Sequence, residues 1–192
     1  QLDNLFSGLI PSTTRVKLLV RFFFNPQLQS YLRELAEEFG VSTNAVRKEL
    51  NQLTQTNLLK REKQGRQVLY MANEEHPLFP DIKSMVSKVL GVDRVIDGIF
   101  SELGDLETAY VVGDYAEGKD TGIIDLVLVG RINKGHLDYL VERTEQYIKR
   151  KIRPLVLNHE EYEKLSPEVS KHPHVLVWKA DVNSTVSQGP RA

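Results

Sequence analysis

Between Ser42 and Arg66 the chain collects side chains suited to a polyanion. Ser42, Thr43, Asn44, Arg47, Lys48 and Asn51 open this stretch, and Gln52 and Gln55 continue the same helical spacing. Their hydroxyls, amides and cations reach phosphate oxygens and base edges, and a guanidinium or an amide can make two hydrogen bonds to one base. Lys63, Gln64 and Arg66 form a second polar cluster around Gly65. Residues 41–70 hold six basic residues (Arg47, Lys48, Lys60, Arg61, Lys63, Arg66) against two acidic ones, Glu49 and Glu62. That local excess suits a polyanionic partner far better than the net charge of −1 on the whole chain suggests.

Two helical patterns position the first cluster. Leu32, Leu35, Ala36 and Phe39 fall at i, i+3, i+4 and i+7, one apolar face. Gly40 follows where a left-handed helix cap wants no Cβ. Ser42 caps the next helix, with Val46, Leu50 and Leu53 as its buried stripe. A helix, a short turn containing Gly and a second helix with a polar outward face is the helix-turn-helix pattern. Upstream, Ser12 or Thr13 caps a helix in which Val16, Leu19, Val20 and Phe23 share a face, and Asn25-Pro26 stops it. Downstream, Leu58–Lys63 and Gln67–Met71 are predicted as strands around Gln64-Gly65-Arg66. Three helices followed by a basic hairpin predict a winged helix, with the hairpin as wing and double-stranded DNA as partner. The deep A-form groove of RNA does not admit a helix in this way.

The rest of the chain predicts a second, α/β unit, so the fold class is α+β. Its mixed sheet follows a winged helix over 1–73 and a linker and connecting helix over 74–91; the unit itself covers 92–180, before a disordered tail over 181–192. Asn73–Pro80 is a polar linker, and Asp81–Leu90 a helix closed by Gly91 that packs on the first domain or on a second copy. A helix follows through Val95, Ile96, Ile99, Phe100 and Leu103 to Gly104. Strands are expected at Ala109–Val112, Ile123–Val129, Ile152–Leu157 and Val175–Trp178, with helices at His136–Arg150 and Glu160–Leu165. Tyr110 and Trp178 are expected in the core. His172-Pro173-His174 is expected to be a surface turn, having no third metal ligand nearby, and Lys149–Arg153 a solvated helix end.

The 192 residues suffice for one large or two small domains. Residues 1–90 carry 12 basic and 9 acidic residues, and residues 91–192 carry 13 and 17, so the halves are +3 and −4. There is no cysteine, which removes disulfides, thiolate chemistry and cysteine-bound zinc. Leu18–Phe24 is apolar but short and interrupted by Arg21, and no run approaches the roughly 20 residues of a membrane span, so no membrane partner is expected.

The segment Val111-Val112-Gly113-Asp114-Tyr115-Ala116-Glu117-Gly118, followed by Ile123-Ile124-Asp125-Leu126-Val127, resembles the minimal nucleotidyltransferase family. In working members a Gly-Ser turn holds nucleotide phosphates. Two Asp on the next strand and a third acid on a later one hold two Mg²⁺, which clamp the attacking and leaving oxygens. Here Gly113, Ala116, Gly118, Asp125 and Leu126 match. Asp114 replaces the Ser, Ile123 replaces the first Asp, and the strand Ile152–Leu157 offers Arg150, Lys151 and Arg153 in its neighbourhood but no acid. The resemblance thus implies a degenerate pocket at Gly113, Asp114, Tyr115, Gly118 and Asp125, with no catalytic residue, no metal ligand and no cofactor. Asp114 and Asp120 are the carboxylates that a rearranged metal site would have to use.

Over about residues 12–165 the chain resembles ArsR-like winged-helix regulators of bacteria and archaea fused to a nucleotidyltransferase-like domain; His76-Pro77-Leu78-Phe79-Pro80 is part of that likeness. The resemblance implies a cytoplasmic, homodimeric transcription regulator. Its second domain would dimerise or sense a small molecule or nucleotide. The alternative class is a Mg²⁺-dependent nucleotidyltransferase targeted by its winged helix, and the acid count opposes it.

Overall fold

The computed structural model describes residues 8–180, so the expected tail lies outside the described residues. Helix α1 (Thr13–Leu19) is capped by Ser12, whose hydroxyl accepts from the Arg15 N–H. It runs on into a π-helical turn, Val20–Phe24, and ends at Asn25. Strand β1 (Gln29–Tyr31) leads into α2 (Leu32–Phe39), which closes on Gly40 at φ +65°. Helix α3 (Thr43–Gln55) follows, then β2 (Leu59–Gln64) and β3 (Gln67–Ala72). Gly65 begins the two-residue turn at φ +61°, a conformation that costs glycine little. The three strands form an antiparallel sheet in the order β1-β3-β2, with Ser30 opposite Tyr70 and Arg61 opposite Tyr70 on the other side.

The expected linker ends early, because α4 spans Phe79–Leu90 with Pro80 in its first turn, where a missing N–H costs nothing. Gly91 turns the chain into α5 (Val92–Gly98), and a 3₁₀ turn at Phe100–Glu102 replaces the longer helix expected up to Gly104. Strand β4 (Leu106–Val112) precedes a single helical turn, α6 (Gly113–Ala116), between the strands expected at Ala109–Val112 and Ile123–Val129. Then come β5 (Ile123–Gly130), α7 (Lys134–Ile148), β6 (Lys151–Leu157), α8 (His159–Val169) and β7 (His174–Lys179). The sheet order is β6-β5-β4-β7, mixed as expected: β5 and β6 are parallel and the other pairs antiparallel.

Alternation along the strands builds two layers. Ala109, Val111, Ile124, Leu126 and Leu128 face the main core, and Tyr110, Val112, Val127 and Val129 face the side of α8. Tyr110 stacks on Tyr162 of α8 with centroids 5.7 Å apart, and Trp178 meets Phe100 edge-on, so both expected core aromatics are only partly buried. The main core is continuous from the winged helix to the sheet. Phe22, Phe23 and Phe24 are all buried at 1% exposure or less, in a π turn that leaves only Arg21 partly exposed. Each such side chain stabilises by roughly 1.5–3 kcal/mol. Phe23 packs on Phe79 of α4 at 5.5 Å between centroids, which seats the connecting helix on the first domain.

Candidate nucleic-acid interface

Helix α3 is set by its N-cap and by one buried carboxylate. Ser42 Oγ accepts from the Ala45 N–H at 3.2 Å. Val46, Leu50 and Leu53 are buried, and so is Glu49. Arg15 Nε donates to Glu49 Oε2 at 2.7 Å and the Ser12 hydroxyl donates to Oε1 at 2.7 Å. Arg15 also reaches Gln52. Glu49 thus fastens α3 to α1 and takes its own charge off the surface. Ser42, Thr43, Asn44, Arg47, Lys48 and Asn51 are all exposed on one side of the helix, with no carboxylate of α3 among them. Arg47 donates to the Asn44 side-chain oxygen at 2.9 Å, one turn back, which holds both groups outward together.

The wing stands beside this face. Lys63, Gln64 and Arg66 are exposed around Gly65. Tyr31 Oη donates to Gln64 Oε1 at 2.8 Å and pins the wing to β1, so Gln64 serves the wing's position as well as its surface. Arg47 and Arg66 line a single groove, and Arg33 and Tyr31 join them there. Sequence reasoning passed over Arg33, which lies on the polar side of α2, and Glu49, which a helical wheel places one step from the apolar stripe.

The Gly113–Asp125 segment is folded on itself. Gly113 has φ +66°, and a Cβ there would lie 3.1 Å from Asp125 Oδ2, so Gly113 and Asp125 come together. Asp125 is already engaged. Arg153, its register partner on β6, donates Nε to Oδ1 at 2.7 Å and Nη2 to Oδ2 at 2.8 Å. The strand that holds the third acid of a working nucleotidyltransferase here places a cation across from the remaining carboxylate. Asp120 is likewise taken: Arg150 Nε and Nη2 grip it at 3.1 and 2.7 Å, and the Tyr115 hydroxyl donates to it. Burial opposes its charge, but Arg150 and Tyr115 outweigh burial and hold Asp120 below the usual carboxylate range. Among the described residues no three His, Cys, Asp or Glu side chains gather as a metal site. These residues do not fit a pair of Mg²⁺.

Tyr115 and Gly118 point away from Asp125. Tyr115 is buried at 1% exposure, and burial, with Asp120 beside it, pushes its hydroxyl well up. Gly118, at φ +78°, presses on the winged helix, where a Cβ would meet Arg21 Cα at 2.6 Å. Asn25 Nδ2 donates to the Ala116 carbonyl at 2.7 Å, and Arg21 Nη1 to the Glu117 carbonyl at 3.0 Å. The turn that resembles a phosphate loop is the dock between the two halves. Beyond Gly113 the cleft is apolar, about 460 Å³ between β5, β6 and α8, with Val112, Leu155 and Leu165 on its walls.

The Lys149–Arg153 run, expected as a solvated helix end, instead buries Arg150 and enters β6 at Lys151, and it is mostly neutralised: Arg150 by Asp120, Lys151 by Glu145 and Arg153 by Asp125. His174 Nδ1 lies 2.9 Å from the His172 carbonyl in a turn leading into β7. No helix of the described residues is long and apolar enough to cross a membrane.

No curated protein matches the chain. Two solved structures are similar to parts of it. Reduced HlyU from Vibrio cholerae N16961 is 15% identical over 47% of this chain and 87% of its own, with a TM-score of 0.35. A mutant of the toxin-antitoxin MntA-HpeT is 11% identical over 46% of this chain and 72% of its own, with a TM-score of 0.37. Residues 27–69, from β1 through the wing, match the family described as the DeoR-like helix-turn-helix domain.

Proposed function

We propose that this protein is a sequence-specific regulator of transcription that binds double-stranded DNA as a homodimer. The observation that carries the reading is the outward face of α3: Ser42, Thr43, Asn44, Arg47, Lys48 and Asn51, cleared of acid by the burial of Glu49 and flanked by the Arg66 wing. In this reading Arg47, Asn44 and Asn51 read base edges. Ser42, Thr43 and Lys48 hold phosphate, and Lys63, Gln64 and Arg66 follow the backbone beside the site. A dimer follows from the paired half-sites that helix-turn-helix proteins read. The winged helix is of the ArsR-like kind. The second domain is a nucleotidyltransferase-like module that needs no cofactor and serves in sensing or dimerisation. The spent metal site supports that role, since Asp120 and Asp125 are each held by an arginine fork.

Fluorescence anisotropy on a labelled genomic duplex, titrated with salt, tests it. The reading expects binding that weakens steeply with salt and falls on Arg66→Ala. Equal affinity for the Arg66→Ala variant, or equal affinity for duplex RNA, would contradict it.

A further inference from the structure

A second cationic cleft lies far along the chain from the recognition helix, between the α4–α5 junction and α7. It encloses about 600 Å³. Lys88 from the end of α4, Arg94 from α5, and Arg143 and Arg150 from α7 and its exit all line it, against one carboxylate on the wall, Asp97. Their engagement differs. Arg150 spends its fork on Asp120, which neutralises it, and gives further bonds to the Val89 and Ile148 carbonyls, so it shapes the wall and adds no net charge. Arg143 gives one nitrogen to the Gly98 carbonyl at 3.1 Å and to Glu102. Lys88 and Arg94 make no ion pair within 4.0 Å and no side-chain hydrogen bond among the described residues, though Asp93 lies close enough to Lys88 to feel its charge. Thr144, 3% exposed on the wall of the cleft, has a hydroxyl with no hydrogen-bond partner among the described residues. The wall is shaped by Gly98, whose missing Cβ would lie 2.7 Å from that hydroxyl. Tyr147 stands on the rim, 77% exposed, and offers a flat apolar surface.

Exposed cations without an ion-pair partner on a concave wall make a receptor for oxyanions. We propose that this cleft binds a small organic anion bearing phosphate or carboxylate groups, with Lys88 and Arg94 as its direct partners. The site joins two bodies. Lys88 and Val89 belong to α4, which packs on the winged helix through Phe79, and Arg143 and Thr144 belong to the second domain. A ligand held across it changes how firmly α4 is tied to α7, which is where an effector has leverage over the DNA-binding half. The binding itself does not depend on the DNA reading.

Isothermal titration of the full chain with pyrophosphate and, separately, with citrate at fixed salt tests the proposal. One saturable site per chain is expected, for one probe or both, and the probe that binds tells phosphate from carboxylate. The Lys88→Ala/Arg94→Ala variant should lose at least tenfold in affinity, and Arg47→Ala/Arg66→Ala should lose none. Both pairs are exposed, and circular dichroism and Tm verify the fold. The proposal is overturned if neither probe binds or if the Lys88→Ala/Arg94→Ala variant binds normally. It is overturned equally if the loss appears in Arg47→Ala/Arg66→Ala, which would put the anion on the recognition face. A fall in DNA affinity of Lys88→Ala/Arg94→Ala without any small anion would also overturn it, by making the cleft part of the DNA footprint.

Discussion

Glu49 sits at the centre of a helix whose outer face gathers cations, and its burial decides the sign of that face. Ser12 and Arg15 hold both of its oxygens. Replacing it with Ala strands the Arg15 guanidinium, which is about one-third exposed, and should destabilise the protein by about 1–3 kcal/mol, read as a lowered denaturant midpoint. Glu49→Gln should recover part of that loss. Arg47 lies on the other side of the helix and its loss should cost little stability. Arg47→Ala should weaken specific DNA binding by about 1–3 kcal/mol if the guanidinium reads a guanine, while general binding changes less. Unchanged operator affinity would remove Arg47 from the reading. Asp120 gives a pH prediction of definite sign. Its folded pKa is depressed, so its stabilisation is present above the unfolded aspartate value of about 3.9 and is lost as pH falls through the lower folded value. Thermal melts should therefore show an acid limb that Asp120→Asn flattens, together with a lower Tm at neutral pH for that variant.

At the scale of elements, the chain spells out what local chemistry determines and leaves unsaid what a distant partner supplies. The turn from α2 to α3 is legible because Gly40 and Ser42 carry their own reasons, a left-handed cap and a hydroxyl acceptor. Strand β1 is not, since Gln29-Ser30-Tyr31 has no strand pattern of its own and takes its form from β3. The need for a glycine at 98 is equally hidden, because it rests on Thr144 of α7, whose hydroxyl would lie 2.7 Å from a Cβ there. The Gly113–Gly118 turn shows the difference most clearly. Its glycines are legible as a tight turn, but their service as a dock follows only from Arg21 and Asn25, about ninety residues earlier. Gly118 supplies a test. Gly65 and Gly118 both have positive φ, so Ala at either carries a backbone cost of about 1–2 kcal/mol. Only Gly118 also meets backbone, at Arg21. Gly118→Ala should lower Tm clearly more than Gly65→Ala; equal shifts would mean that the dock yields freely.

On the scale of the whole molecule, one apolar core runs from α1 through α4 to the larger sheet, so the winged helix and the second domain are mechanically continuous. Arg21 concentrates that continuity: its guanidinium bonds Glu38 of α2, Ser30 of β1 and the Glu117 carbonyl of the docking turn. In the proposed function the α3 face reads DNA sequence. Selection of binding sites from fragmented genomic DNA with the purified full chain, at a stated salt concentration, tests it most directly. Enrichment of a motif with two-fold symmetry is expected, its half-sites about one helical turn or a multiple of it apart. Uniform recovery of unrelated fragments, with binding that salt abolishes evenly, would contradict it.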